Sequence, residues 1–258
     1  MIRGLYTSAM GMSTQAMSLD VVSNNLANAS TIGFRNGIAV RQSFPEMLMK
    51  SIQSYPGQPE HDRFNAGFAN FGVMVSDIHV DFSQGTLNQT SGELDLAIVG
   101  GGFFAVESLN RAGQAQEMFT RAGAFTLTPD RTLVNFNGDR VLNEGGAHII
   151  IPDGNDITIS SSGEIFVDGT SVDTIRIVDF EDTSLLRPFG HTLLLANGAV
   201  EIPFTGQISQ GYLERSNVNV MREMVNMINI ARAYEFNQNM VSIQNQTLQQ
   251  AVNDIARR

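Results

Sequence analysis

The hydrophobic positions of the chain follow two different periods. From Val220 to Ala256 they advance in steps of four and three: Val220, Met224, Met227, Ala231, Tyr234, Val241, Leu248, Val252 and Ile255, with Gln238 and Asn245 on the same seam. Neither proline nor glycine interrupts that stretch. Such a heptad pattern predicts one long helix with a packing seam along it. The other end repeats the pattern at Ile2, Leu5, Ala9, Met12, Ala16, Leu19, Ser23 and Leu26, which predicts a helix over residues 2–29. Gly33 follows, where a positive-φ residue can close the helix end.

Between the helices the period falls to two. Val73, Val75, Ile78, Val80 and Phe82 alternate. Short apolar runs follow at 95–99, 103–106, 125–127, 148–151, 157–159, 164–167, 174–178 and 192–195, separated by Asn137-Gly138, Asp153-Gly154, Ser162-Gly163, Asp168-Gly169 and Asn197-Gly198. Turn dipeptides at that spacing predict many short antiparallel strands. The expected architecture is α+β, an all-β central domain flanked by long heptad helices that pair or assemble with neighbours. Its parts are an N-terminal helix in 1–35, an extended connector in 36–72 with a short helix from Glu46 to Gln53, a β-rich domain in 73–210 and a C-terminal helix in 211–258. The string Ser83-Gln84-Gly85-Thr86-Leu87 is echoed by Ser209-Gln210-Gly211-Tyr212-Leu213. The echo is either chance or one local geometry used at both crossings between helical and β parts.

Composition narrows the function. Net charge is -10, which argues against nucleic acid or an anionic membrane as the main partner. No apolar run is long enough to span a bilayer. With no cysteine, disulfides, thiolate metal sites and cysteine nucleophiles are excluded. Arg3 is followed by an amphipathic pattern, so no cleavable secretory signal is expected. Only Arg3 and Asp20 are charged within residues 2–29, fewer than a solvated helix face carries. The C-terminal stretch holds six asparagines and five glutamines, which suit a packed interface without buried charge.

Candidate chemistry is sparse. Gly100-x-Gly102-x-x-Ala105 has the spacing of a dinucleotide fingerprint, but Phe103 to Glu107 reads as a strand where that motif needs a helix. His61, His79, His148 and His191 lie apart from one another, and Asp77-Ile78-His79-Val80-Asp81 reads as a polar strand face. No catalytic residue, metal ligand or cofactor site is expected, and the chain is read as a non-enzyme.

Several ordered strings carry a family resemblance. They are Ser23-Asn24-Asn25-Leu26-Ala27-Asn28 with Thr31, Gly33, Phe34 and Arg35; Gly92-Glu93-Leu94-Asp95-Leu96-Ala97-Ile98 with Gly100, Gly102, Phe103 and Phe104; and Phe119-Thr120-Arg121-Ala122-Gly123-Ala124-Phe125. Leu213-Glu214-Arg215-Ser216-Asn217-Val218-Asn219 and Glu223 to Ile228, with Arg232-Ala233-Tyr234-Glu235, complete the set. Together they resemble the bacterial flagellar rod and hook proteins, and the chain's length is that of the proximal or distal rod proteins. The resemblance implies an exported structural subunit of the basal-body rod, outside the cytoplasmic membrane. It also implies assembly with its own copies and other axial proteins, passage through the flagellar type III export apparatus, torque transmission and an enclosed export channel.

The seams add a physical reason. Two helices of unequal length with apolar seams leave surface for neighbours, and contacts between unlike surfaces build an open helical array. The expected assembly residues are Leu5, Met12, Leu19, Leu26, Val220, Met224, Met227, Ala231, Tyr234, Val241, Leu248, Val252 and Ile255. On the residues alone, two other readings stay open: a soluble α+β monomer whose helices close one core, or an extracellular β-rich ligand-binding protein or adhesin with a helical stalk.

Overall fold

The computed structural model describes residues 2–45, 47–53, 62–70, 72–109, 113–154 and 156–256. The first heptad stretch forms α1 (Ile2–Ala27). It ends in turns in which Ala29 N–H donates to Leu26 O and Thr31 N–H to Asn28 O. Then come β1 (Asn36–Ser43), β2 (Met47–Gln53), β3 (Asp62–Ala69) and β4 (Val73–Asp81). The chain divides into two compact units, one of Met1–Asn24, Gly37–His79 and Met221–Arg258, the other of Asn25–Asn36 and Val80–Val220.

The short helix expected at Glu46 to Gln53 does not form. Met47–Gln53 is β2, paired antiparallel with β3 from Met47 opposite Ala69 to Gln53 opposite Asp62. A helix of two turns is weak without packing, whereas the hairpin ladder pairs every residue of the strand. The expected connector is therefore largely β structure, since β1 also pairs with β4. Glu46, Tyr55 to Pro59 and His61 lie outside the described residues.

The β-rich unit runs through β5 (Leu87–Gln89), β6 (Leu96–Val99), β7 (Phe103–Leu109), β8 (Ala115–Thr120), β9 (Phe125–Leu127), β10 (Leu133–Asn135) and β11 (Arg140–Val141). It continues with β12 (Ile157–Ile159), β13 (Glu164–Val167), β14 (Thr170–Thr174), β15 (Ile177–Phe180), β16 (Leu186–Phe189), β17 (Leu193–Ala196), β18 (Glu201–Pro203), β19 (Gln207–Gln210) and β20 (Tyr212–Glu214). The main sheet runs β16-β17-β8-β7-β11-β10-β9, with β15 joining β7 and β18. The expected strand at 174–178 is divided: Thr174 ends β14 and Ile177 opens β15. Residues 148–151 make single bridges rather than a strand, His148 to Leu142 and Ile150 to Thr132.

β7 explains the unbroken run Phe103-Phe104-Ala105-Val106. Phe104 and Val106 enter one core cluster with Leu96, Met118 and Ile165, while Phe103 and Ala105 enter another with Phe119 and Phe180. A strand buried on both faces needs no polar alternation. Phe119 meets Phe180 edge-on at 4.9 Å between centroids, and Phe104 meets Phe125 at 5.1 Å. Gly100 and Gly102 have φ of 102° and 110° and form the turn into β7, so the fingerprint spacing opens a strand, not a helix.

The second heptad stretch is α2 (Val220–Ala256). Within the helical unit α1 and α2 pair antiparallel. A Cβ on Gly4 would lie 2.4 Å from Gln244 Nε2, and one on Gly11 would lie 3.0 Å from Asn237 Nδ2. Both contacts move by seven residues, which fixes the register and sets Ser18 opposite Ile230, both buried. The facing row of α1 is thus Gly4, Gly11 and Ser18, and the two glycines leave room for the Gln244 and Asn237 side-chain amides. β4 starts against α1, where Thr14 Oγ1 donates to Val73 O at 2.7 Å.

Candidate functional site

Two features stand out, one in each unit. The helical unit carries most of the expected assembly residues. Leu5, Met12, Leu19 and Leu26 form one half-buried row on α1, the first three each one residue beyond a facing position. On α2, Met227, Ala231, Val241 and Leu248 are half-buried, and Val220, Met224, Tyr234 and Val252 are exposed, Met224 at 46% and Val252 at 62%. Ile255 lies in α2, but its side chain is outside the described set. Only Val22 and Ile230 are buried apolar side chains among the described residues of the two helices. The large residues are therefore mostly not spent on the intrachain contact. The heptad spacing of Gly4, Gly11 and Ser18 is the sequence signal for that contact, and it lies one position from the apolar row.

In the β-rich unit a charge cluster missed by sequence reasoning closes the fold. Glu214, at the end of β20, is fully buried at 0% exposure. Its Oε1 accepts from Arg35 Nη2 and from Gly85 N–H, each at 2.8 Å. Its Oε2 lies 3.5 Å from Arg121 Nη1. Arg35 Nη1 donates to Ser83 O at 3.0 Å, and Arg121 Nη2 to Gly100 O at 2.7 Å. The Arg121 guanidinium also stands over the Phe103 ring, 5.0 Å from its centroid. Burial, helped by the charge of Arg35, pushes Arg121 down to about 10 against the opposing pull of Glu214 and Asp179, so it stays protonated at neutral pH. The Nε atoms of both arginines are buried without a hydrogen-bond partner. A carboxylate so enclosed cannot reach a substrate; its work is to hold segments together.

Those segments are the ones just after α1 and just before α2. Gly33 N–H donates to Glu214 O at 2.9 Å, and Asn36 N–H to Asn217 Oδ1 at 2.8 Å. Asn217 Nδ2 donates to Asp81 O and Ser83 O. The echoed strings meet here too, since β5 pairs with β20, Leu87 opposite Glu214. Their glutamines do parallel jobs. Gln84 Nε2 donates to Ile98 O and its Oε1 accepts from Gly100 N–H, while Gln210 Nε2 donates to Ile157 O and its Oε1 accepts from Ile159 N–H. Their glycines differ. Gly211 has φ of 75°, whereas Gly85 is outside the left-handed region and is small because a Cβ would lie 1.9 Å from Arg215 O.

Of the histidines, His148 Nε2 lies 2.9 Å from Glu107 Oε1 on the β-unit surface, and His79 is exposed on β4. No helix of the described residues is long and apolar enough to cross a membrane.

Long terminal helices with exposed apolar side chains, joined to a β-rich unit closed by buried charge, are the architecture of a subunit built to pack against neighbours. Comparison with known proteins makes the class specific. Residues 5–35 match the family described as flagella basal body rod protein, residues 97–167 the flagellar hook protein FlgE/F/G D1 domain, and residues 209–254 the flagellar basal body rod FlgEFG protein C-terminal region. Each matched segment supplies one member of the cluster: Arg35, Arg121 and Glu214. The flagellar basal-body rod protein FlgG of Agrobacterium fabrum is 32% identical over 93% of this chain and 95% of its own length. FlgG of Bacillus subtilis is 32% identical over 98% and 99%, and the rod protein FlgF of Caulobacter vibrioides 33% over 91% and 90%. The chain belongs to the flagellar basal-body rod protein family. It is a structural subunit of that rod, in the basal body of the bacterial flagellum.

Proposed function

We propose that this subunit assembles through its terminal helices with copies of itself and with other axial proteins, and that the resulting wall transmits torque and encloses the export channel. The subunit reaches the rod through the flagellar type III export apparatus. The observation that carries the reading is the arrangement of the helix pair. Small and amide residues face inward at Gly4, Gly11, Asn237 and Gln244, while Met224, Val225, Ile228, Phe236 and Val252 remain exposed. Burying such side chains against neighbours stabilises an assembly at roughly 25 cal/mol per Å². The assembly residues are those on the helix flanks: Leu5, Met12, Leu19 and Leu26 with Val220, Met224, Met227, Ala231, Tyr234, Val241, Leu248, Val252 and Ile255.

Sedimentation velocity over a concentration series tests this. Met224→Asp with Val252→Asp changes only side chains already exposed in the single chain, so the fold is kept. The double variant should associate at least about tenfold more weakly than the parent, the effect of about 1.4 kcal/mol. Unchanged association would remove these residues from the interface.

A second expectation concerns the dilute monomer. With so few buried apolar side chains, α1 and α2 belong to the low-stability end of the molecule, while the β-rich unit holds a continuous core. Limited proteolysis should cut within the terminal helices well before the β unit. Equal resistance of both would show that the pair is already stable alone.

A further inference from the structure

The register of the helix pair sorts its outer residues onto two edges. An α-helix turns about 100° per residue, so the residue after each facing position lies about a quarter turn round. Two right-handed helices running antiparallel turn toward the same side with each such step. One edge of the pair therefore carries Leu5, Met12 and Leu19 from α1 beside Ala231 and Gln238 from α2. The opposite edge carries the preceding positions, Met10 and Met17 on α1 with Phe236 and Ile243 on α2. On that second edge the chain's own segment packs against α1, where a Cβ on Gly72 would sit 3.2 Å from Met10 Cβ. Phe236 and Ile243 remain 66% and 55% exposed.

We infer that the Phe236–Ile243 ridge of one copy seats in the Leu5–Met12–Leu19 edge of the next. This rests on the assembly reading above and names the joint within it. The occupant is a second copy of this chain because the two edges are unlike and complementary: one is a half-buried row of large apolar residues, the other a protruding ridge. The row edge bears no charge, and on the ridge edge the one charge is Arg3, the position before Gly4 and level with Ile243; Asp20, Arg232 and Glu235 all fall on the outward backs of the helices. Joining ridge to row uses one edge of each copy and leaves its other edge free, so addition continues and gives an open array. Ridge-to-ridge pairing would instead close a dimer and stop.

The chain has no cysteine, so single cysteines can be placed without background. Full-length Met12→Cys and Phe236→Cys proteins, residues level with each other but on opposite edges, are mixed under a mild oxidant. Leu5→Cys with Ile243→Cys is the second pair, in case one substitution impairs folding, and Ser13→Cys on the back of α1 is the control. The expected result is mixed disulfides forming on the order of tenfold faster than either homodimer or the control mixture, as a docked pair raises effective concentration. Sedimentation of the parent chain runs alongside. Association without preferred mixed disulfides, or with Phe236→Cys homodimers dominating, overturns the ridge-and-row joint and leaves helix-driven assembly standing. A parent chain that stays monomeric and uncrosslinked throughout overturns the assembly reading itself.

Discussion

Replacing Glu214 by alanine is expected to destabilise the β-rich unit by about 3–5 kcal/mol, because it strands two buried guanidinium groups. Arg35 and Arg121 are 4% and 5% exposed at their side chains, so water cannot take over the role of the carboxylate. Gly85 N–H would lose its acceptor as well. Glu214→Gln keeps an acceptor oxygen and should cost less, while still leaving the positive charges uncompensated. Exchanging Arg35, Arg121 and Glu214 together for apolar residues of similar volume should cost far less than Glu214→Ala alone, since desolvation of the ions is then avoided. Urea unfolding read by circular dichroism orders these variants. If Glu214→Ala unfolded at the parent midpoint, the cluster would be incidental to the fold.

The helices were legible because a heptad seam needs only spacing, and α2 begins at Val220 and ends at Ala256 as the pattern predicts. What the spacing hid was which face the chain uses on itself. A hydrophobic pattern marks large residues such as Leu5 and Met12, whereas the intrachain contact depends on the small size of Gly4 and Gly11. Most central strands were legible from alternation and turn dipeptides. Met47–Gln53 was not, because Met47, Leu48, Met49 and Ile52 fit either period and its partner β3 lies further along the chain. The charge cluster was illegible for a different reason. Arg35 and Glu214 stand 179 residues apart, and burial is set by tertiary packing. All three members nevertheless lie inside the strings that carried the family resemblance, so the sequence held the residues without their purpose.

Gly33→Ala and Gly85→Ala are expected to produce the second large effect, about 2–5 kcal/mol at Gly33 and about 1–3 at Gly85, from strain in the left-handed region and overpacking. A Cβ at Gly85 would fall 1.9 Å from Arg215 O, and one at Gly33, where φ is 69°, would fall 2.3 Å from Ala122 N. Neither neighbour is the movable end of a side chain. Arg215 is held by its N–H to Thr86 O at 2.9 Å, and Gly33 itself donates to Glu214 O. An added methyl must therefore push apart the segments that meet at Glu214. Gly211→Ala is the informative control, because it has a φ of 75° but its nearest neighbour, Thr90 O, is 3.7 Å from the added Cβ. It should show the conformational cost alone, about 1–2 kcal/mol. Equal losses at Gly33 and Gly211 would mean that φ sets the cost and close approach adds nothing. A larger loss at Gly33 would show that the string after α1 is pressed against the Arg121 loop, and that the small residue there serves the same closure as Arg35, two positions on.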